Sequence, residues 1–501
     1  MTARNEKFKD LIFYEIYPTS FYDSNGDGIG DLNGIREKLP YIKELGCNAI
    51  WINPFFTSPF KDGGYDVADF FDVDPKFGTL ADFDDLIQAA NELDIKIVID
   101  CVAGHASDEN KDFLKSGEYE PNECSDLFIW NDNVWCLEDG YRLVSGRHPR
   151  NGNYLTNFFS VQPAFNFGFY NVEFPNWQMS YKDERTFKAR DYIVDFMKFW
   201  LKRGAFGFRV DMAAYLVKND PEKKATIEVW QYIFEKVRGE YPDAFVVSEW
   251  STPEKSFTAG FDCDFVLDDW GNFYHRMVRN TEDSRGIALL NGGGIEFFKQ
   301  DLKRRYEQSI KLGGYLGMVS GNHDTTRIAN FLGTKQLKMY YAFMFMMPGI
   351  PFVYYGDEIQ MKFADLPNKD GGYARTGNRT PMQWNHEKND GFSTCDESKL
   401  YLPVNTASDI TLEDNLKDKD SIYYAVKDLI KIRKENPEIL TAEMSFDEKE
   451  RVITLERGAL KLVMNCSNNE LTVDGTVLFT TGAENTLQPY ECAIVKPCPN
   501  K

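Results

Sequence analysis

The chain has 501 residues, of which 43% are apolar and 15% aromatic, and its formal net charge is −21. This length and composition predict a folded protein with a large core and appended segments. The acidic excess argues against a nucleic-acid partner and against binding to an anionic membrane surface, because both need clusters of Lys and Arg.

The first residues of the chain, its apolar runs and its cysteines together indicate where in the cell the protein is located. The first ten residues contain no apolar stretch of the kind that a secretory signal needs, and no apolar run approaches the length of a membrane span. The nine cysteines are scattered and include no Cys-x-x-Cys pair. Reduced thiols, a cytoplasmic location and the absence of zinc are therefore expected.

Short apolar runs alternate with longer helical patterns along most of the chain. The predicted strands are Ile12–Tyr17, Ala49–Asn53, Lys96–Asp100, Phe206–Asp211, Phe245–Glu249, Phe265–Asp268, Gly317–Ser320 and Pro351–Tyr355. The predicted helices between and after them are Gly34–Leu45, Leu80–Leu93, Arg185–Lys202, Pro221–Glu240, Ile295–Lys311, Lys335–Met346 and Ser421–Lys434. Eight strands in this alternation predict an α/β fold, a (β/α)₈ TIM barrel.

Two segments interrupt the alternation and predict additional domains. A long stretch rich in Asn, Gly, Trp and Tyr follows the third strand and predicts an inserted domain at 104–171, between barrel parts at 1–103 and 172–438. Residues 439–501 contain short alternating runs, which predict a C-terminal β-sandwich domain. These runs are Arg451–Glu456, Leu460–Asn465, Glu470–Val473, Thr476–Thr480 and Glu491–Val495.

The fourth predicted strand ends in the pentapeptide Gly207-Phe-Arg-Val-Asp211. Because side chains alternate along a strand, Arg209 and Asp211 face the same side. Burying an arginine and a carboxylate together is costly unless they pair. Taken alone, the pentapeptide is compatible with a structural ion pair as well as with a catalytic site.

Polar side chains also follow the ends of other predicted strands, where a barrel carries its active site. They are His105, Glu249, His323 and Asp324. One such acid could cap a helix, but polar ionisable groups at four strand ends are poorly explained in that way. Several carboxylates and an arginine without a Ser or Cys nucleophile motif suit glycoside hydrolysis, in which one carboxylate attacks and one carboxylic acid donates a proton.

Four motifs together resemble those of the alpha-amylase family, glycoside hydrolase family thirteen. They read Asp100-Cys-Val-Ala-Gly-His105, Gly207-Phe-Arg-Val-Asp211, Ser248-Glu-Trp250 and Asn322-His-Asp324. The resemblance covers nearly the whole chain and implies an oligosaccharide substrate. It implies that Asp211 is the nucleophile, Glu249 the acid/base and Asp324 the stabiliser of the transition state. It further implies that Arg209 orients Asp211 and that the sugar is bound by Tyr65, His105 and His323.

A second set of residues resembles the exo-acting oligosaccharide glucosidases and oligo-1,6-glucosidases of that family. Asp62 in Lys-Asp-Gly-Gly-Tyr-Asp and Arg379 in Arg-Thr-Gly-Asn-Arg-Thr-Pro-Met-Gln-Trp match their Asp–Arg pair, which closes the sugar pocket at the non-reducing end. A surface salt bridge is the simpler alternative. An α-amylase-type endo-hydrolase, a glucosyl transferase and an inactive carbohydrate-binding relative stay open as other functions.

An acidic turn after the first strand predicts a calcium site. The turn reads Asp-Ser-Asn-Gly-Asp-Gly-Ile-Gly-Asp, with oxygen ligands at alternate positions, as Ca²⁺ prefers. The family carries calcium in this loop, and the matching ligands are Asp23, Asn25, Asp27, the Ile29 carbonyl and Asp31. A solvated acidic turn is the alternative.

Several positions depart from the family pattern. Gly104 stands where the first motif usually has Asn. A fifth family motif corresponds to Gln162-Pro-Ala-Phe-Asn166, and Ala164 stands there in place of the usual Asp. Ala214 and Tyr215 replace the Lys-His pair of many starch-cleaving amylases, and Met212 directly follows the nucleophile. These departures argue against the interdomain calcium site and the standard aglycone subsites of endo-amylases, and they leave the linkage preference open.

Overall fold

Eight parallel strands close into a barrel in the computed structural model, which describes residues 3–135, 140–267, 296–369, 371, 375–483 and 485–498. Around the barrel the order is β1-β8-β7-β6-β5-β4-β3-β2. The strands are β1 (Phe13–Ile16), β2 (Ala49–Ile52), β3 (Lys96–Cys101), β4 (Gly207–Val210), β5 (Phe245–Ser248), β6 (Cys263–Phe265), β7 (Tyr315–Val319) and β8 (Ile350–Tyr354).

Helices pack around the outside of this barrel. The first begins at the Asp31 cap, whose side chain accepts from the Gly34 amide, and the second begins with a capping box between Thr79 and Asp82. The helices are α1 (Leu32–Leu45), α2 (Leu80–Glu92), α3 (Phe187–Lys202), α4 (Lys224–Arg238), α5 (Pro253–Ala259), α6 (Glu296–Leu312), α7 (Thr334–Met346) and α8 (Ile422–Glu435).

The barrel interior is filled by aromatic and branched side chains. The rings of Phe13 and Phe352 stack with centroids 4.4 Å apart, and Phe245 stacks on Phe13 at 5.5 Å. Trp51 and Phe265 complete the same buried cluster. The interior is therefore a packed core, and any cavity for a ligand must lie at the ends of the strands.

The segment between β3 and α3 forms a small sheet of its own. Strand Asn153–Leu155 lies between Trp130–Asn131 and Leu143–Ser145 in antiparallel pairs. An isolated bridge between His105 and Ala164 joins this segment to the end of β3. The expected domain boundaries at 104 and 171 stay a prediction.

The C-terminal region forms two antiparallel sheets. The five-stranded sheet contains β9 (Met444–Lys449), β10 (Val452–Arg457), β11 (Leu460–Asn465), β12 (Thr476–Thr480) and β13 (Glu491–Lys496). The second sheet pairs Leu471–Thr472 with Thr486–Leu487. Leu471 and Leu487 pack with Val463 and Val495 of the larger sheet, so apolar side chains fill the space between the two layers.

The predicted (β/α)₈ barrel and C-terminal β domain are confirmed, and each predicted barrel strand overlaps an observed one. The sixth differs most, because β6 begins at Cys263, before the predicted start at Phe265. The predicted last residue of the sixth strand, Asp268, and the predicted first residue of the following helix, Ile295, lie outside the described residues. Within the described ranges, no helix combines the length and apolar character needed to cross a membrane.

Candidate active site

The predicted site residues meet at the carboxyl ends of the barrel strands. Asp100 on β3 pairs in register with Arg209 on β4, and Asp211 and Glu249 directly follow β4 and β5. A cavity of about 160 Å³ opens at this edge. Its lining residues are Asp62, Tyr65, His105, Phe158, Phe159, Asp211, Met212, Glu249, Asp324 and Arg375.

One buried guanidinium joins three carboxyl groups. The Arg209 side chain is 2% exposed, and its Nη1 lies 2.7 Å from Asp100 Oδ1 and 3.0 Å from Asp211 Oδ1. Its Nη2 lies 2.8 Å from Glu249 Oε2. Gly207 allows β4 to lie this close to β5, because a Cβ there would be 1.9 Å from the Phe245 carbonyl oxygen. The pentapeptide is therefore part of a charge network larger than the ion pair expected from it.

The charges around Asp211 favour retention of a proton in the site. Burial raises the pKa of Asp211 well above its usual range, and the charges of Glu249 and Asp100 add to this, whereas Arg209 lowers it. One positive side chain does not neutralise three carboxylates. A carboxyl pair that holds a proton is what a retaining glycosidase needs before its first step.

Asp324 has the opposite environment. Its Oδ1 lies 2.7 Å from Arg375 Nη1 and 2.8 Å from Arg379 Nη2, and its Oδ2 lies 3.3 Å from His323 Nε2. Burial alone would raise the pKa of Asp324, but these three cationic groups hold it well below the usual range. Asp324 is therefore a fixed carboxylate, suited to accepting hydrogen bonds from sugar hydroxyls.

His323 lies between two carboxylates. Its Nδ1 lies 2.8 Å from Glu15 Oε1, and Asn53 Nδ2 is 3.1 Å from the same nitrogen. Although burial would lower it, the pKa of His323 is raised to about 9 by Asp324 and Glu15. Glu15 was not among the predicted site residues; its signal in the sequence is a carboxylate inside an otherwise apolar strand.

Asp62 contacts a second arginine of the same loop, Arg375, in addition to feeling the charge of the expected Arg379. Asp62 forms an ion pair with Arg375 and accepts a 2.6 Å hydrogen bond from Gln162 Nε2. Arg379 donates to Asp324, to the His323 carbonyl oxygen and to the Tyr17 hydroxyl. Two arginines four positions apart therefore bind the carboxylates at this side of the cavity. Arg375 lines the cavity, and the motif comparison did not identify it as a site residue.

Tyr65 and His105 complete the wall of the cavity. The Tyr65 ring stacks on His323 with centroids 5.2 Å apart and planes at 11°. His105 Nε2 lies 3.0 Å from the Tyr65 carbonyl oxygen, and Asn157 Nδ2 lies 3.2 Å from His105 Nδ1. Burial lowers the pKa of His105 to about 4, so this ring is neutral at pH 7 and can donate from one nitrogen only.

Met212 connects the two central carboxyl groups. Its amide donates a 3.0 Å hydrogen bond to Glu249 Oε2, and its φ is 43°, in the left-handed region. This backbone angle is uncommon for a residue with a side chain and occurs mostly where the surrounding contacts hold it. The position immediately after Asp211 therefore fixes the orientation of Glu249 as well.

The acidic turn after β1 has the donor types of a calcium loop. Asp23, Asn25 and Asp27 each accept backbone hydrogen bonds from residues two or three positions later. Carboxylate, amide and carbonyl oxygens suit Ca²⁺ in kind. The Asp31 carboxylate, however, caps α1 and accepts from Ser24. The described residues contain no preassembled group of three or more acidic, His or Cys side chains around a metal position.

The chain belongs to the alpha-amylase family, because the profile described as "Alpha amylase, catalytic domain" matches residues 15–443. It is therefore a glycoside hydrolase with a (β/α)₈ barrel.

Individual relatives cover almost the whole chain. A glucan 1,6-alpha-glucosidase of Streptococcus pneumoniae is 31% identical over 96% of both chains. An oligo-1,6-glucosidase of Heyndrickxia coagulans is 30% identical and covers 98% of this chain and 99% of its own. The crystal structure of the Bacillus licheniformis trehalose-6-phosphate hydrolase superposes with a TM-score of 0.78 at 25% identity, covering 97% of this chain and 99% of that one.

Proposed function

We propose that the protein is a retaining exo-α-glucosidase, which removes terminal α-linked glucose from short oligosaccharides. The observation that carries this proposal is the pair of carboxyl groups, Asp211 and Glu249, bound to the same buried guanidinium in a cavity of about 160 Å³. A small cavity with two adjacent carboxyl groups suits attack on a single sugar unit.

The proposed reaction has two displacement steps. Glu249 protonates the glycosidic oxygen as Asp211 attacks the anomeric carbon, so the C–O bond to the aglycone breaks and a covalent β-glucosyl ester forms. Glu249, now a carboxylate, then removes a proton from water, which attacks the same carbon and releases Asp211 and α-glucose. Arg209 favours the ionised form of the attacking carboxyl group throughout.

The other residues bind the terminal sugar. The Asp324 carboxylate accepts from two hydroxyl groups, and His323 donates to the sugar. The neutral His105 ring forms part of the wall against which the sugar packs, because its one N–H is directed to the Tyr65 carbonyl oxygen. The Asp62–Arg375 ion pair forms the wall against which the non-reducing end would stop, since both residues line the cavity. The similarity to a glucan 1,6-alpha-glucosidase and an oligo-1,6-glucosidase supports short α-glucosides, including 1,6-linked ones, as substrates.

A product profile tests this proposal and separates it from the alternatives. The purified protein is incubated with maltose, isomaltose, sucrose, trehalose and maltoheptaose, and the products are followed over time. Glucose as the first product from maltoheptaose supports exo cleavage, whereas maltose or longer fragments indicate an endo-hydrolase. Longer products from maltose alone indicate glucosyl transfer, and no turnover of any substrate supports an inactive relative.

Two further properties belong to the proposal. Ca²⁺ would be held by Asp23, Asn25, Asp27 and the Ile29 carbonyl, with Asp31 as a fifth ligand, and it would stabilise the turn after β1.

A cytoplasmic location is supported by the cysteines, because the eight described ones are all free and seven of them are buried.

A further inference from the structure

A second cavity adjoins the candidate active site. It has a volume of about 280 Å³ and lies between the inserted segment and the turn that follows β4. Phe158 lines both cavities, so the second cavity adjoins the one that holds the reacting carboxyl groups. A group bonded to the glucose at its anomeric carbon would have this second cavity within reach.

Three cationic side chains line the second cavity: Arg142, Lys218 and Lys223. Within the described ranges, none of the three lies within ion-pair distance of a carboxylate. Asp220 also lines the cavity and its charge acts on Lys223, but its two oxygens accept from the Lys224 and Thr226 amides at the start of α4. In a chain whose net charge is −21, three basic side chains around one cavity, none ion-paired with a described carboxylate, are a local exception.

Lys218 is connected directly to the candidate active site. Its Nζ donates to Asn157 Oδ1 and, over 3.0 Å, to the Tyr215 carbonyl oxygen. The same Asn157 contacts His105, so a chain of two hydrogen bonds joins the lysine to the sugar-binding wall. Gly104 makes this arrangement possible, because a Cβ at that position would lie 2.6 Å from Asn157 Nδ2. The family's usual Asn at position 104 would displace Asn157.

An aromatic side chain gives the second cavity an apolar face. Tyr215 is 50% exposed, and Lys223 Nζ lies 4.4 Å from its ring centroid. Exposed aromatic rings stack on the apolar faces of sugars, and a cation beside such a ring favours a ligand that is both cyclic and anionic. The two departures Gly104 and Tyr215 therefore belong to the same feature.

We propose that this second cavity binds the aglycone of the substrate and that the aglycone is a sugar carrying a negative charge, either a phosphate or a carboxylate. The proposal rests on the α-glucosidase function proposed above and names its substrate class. Phosphate and carboxylate oxygens accept strong hydrogen bonds from Lys and Arg. Burial also lowers the pKa of Lys218 to about 7, and an anionic ligand would restore its full charge.

Paired substrates test the proposal. The value of kcat/KM is measured for maltose, for maltose phosphorylated at O6 of the reducing glucose, and for α-glucosyl-(1→4)-glucuronic acid. One of the charged substrates is expected to exceed maltose by ~10- to 100-fold, since hydrogen bonds to charged groups have energies of that order. The two charged arms distinguish phosphate from carboxylate.

Substitutions in the second cavity test whether the preference for charged substrates arises there. Lys218→Met is expected to reduce the ratio of charged to neutral kcat/KM at least tenfold, and Arg142→Met, at an exposed position, is expected to reduce it if Lys218→Met fails to fold. Lys224→Met removes the same charge from an exposed side chain outside the cavity and should leave the ratio unchanged. A wild-type ratio of one or less, or a ratio insensitive to both cavity variants, overturns the proposal but not the α-glucosidase function. Absence of turnover on every α-glucoside overturns both.

Discussion

Arg209 donates to Asp100, Asp211 and Glu249 from a side chain that is almost completely buried. Asp324, by contrast, is bound by Arg375, Arg379 and His323. Three carboxyl groups thus share one cationic side chain at Arg209, whereas three cationic groups surround the single carboxylate of Asp324. The first arrangement is suited to holding and transferring a proton, and the second to holding a permanent carboxylate.

Glu249→Gln tests the assignment of the proton donor. The amide keeps the shape of the side chain but has no acidic proton, so kcat/KM for maltose should fall ~10²–10⁴-fold. An activated α-glucoside, whose leaving group needs no proton, should be affected much less in the first step. Similar losses for both substrates, or near-normal turnover of maltose, would contradict the assignment.

Arg375→Ala tests whether this residue, in addition to Arg379, closes the sugar pocket. The substitution leaves Asp62 without its ion-pair partner and removes one of the two arginines on Asp324. We expect kcat/KM for disaccharides to fall ~10–100-fold, since each lost interaction involves charged groups. The control is Arg36→Ala, because Arg36 pairs with Asp85 on the exposed surface. Equal activity of the two variants would remove Arg375 from the site.

The sequence identified the carboxyl residues at strand ends more reliably than the residues that bind to them in the site. Asp211, Glu249 and Asp324 follow buried strands, so the fold alone brings them together. Arg375 and Glu15 escaped the motif comparison for different reasons. Arg375 lies in a long loop, where the backbone path decides which of two nearby arginines reaches Asp62. Glu15 lies within an apolar strand, where its role depends on His323, more than 300 residues later.

Among the elements, long regular segments were predicted closely and short ones were not. The helix α3, with 16 residues, was predicted within two residues of its start, whereas the seven-residue α5 was missed. The start of β6 was also missed, because this strand carries Asp264 in its middle. That carboxyl group is buried and accepts from Ser248 Oγ at 2.7 Å and from the Ser251 amide at 3.0 Å.

Removal of calcium tests the turn after β1. If Ca²⁺ binds to Asp23, Asn25 and Asp27, a chelator should lower the melting temperature by a few degrees, and added Ca²⁺ should restore it, because a ligand that binds only the folded state stabilises it. Asp27→Ala should abolish this response, because it removes one of the proposed ligands. The variant should still fold, since the Asp27 side chain is exposed and among the described residues its carboxylate accepts only from the Ile29 amide. A melting temperature that does not respond to chelator or Ca²⁺ in the wild type argues for a solvated turn.

At the scale of the whole molecule, a buried arginine joins the C-terminal domain to the barrel. Arg457 on β10 donates to the Met346 carbonyl oxygen at the end of α7, and Arg433 on α8 holds that helix end in place by donating to the Phe345 carbonyl oxygen. Alternating strand and helix patterns predicted both domains, because each pattern is local. The cavity between the inserted segment and the barrel was not predicted, because it depends on how distant segments pack.

The central claim, that Asp211 is the nucleophile of a retaining α-glucosidase, can be tested by trapping the covalent intermediate. Glu249→Gln is incubated with α-glucosyl fluoride, whose leaving group needs little acid assistance, and the protein is digested and analysed by mass spectrometry. The account predicts one added glucosyl group on the peptide that contains Asp211. A glucosyl group on another carboxyl residue, or turnover of the fluoride with inversion to β-glucose, would contradict it.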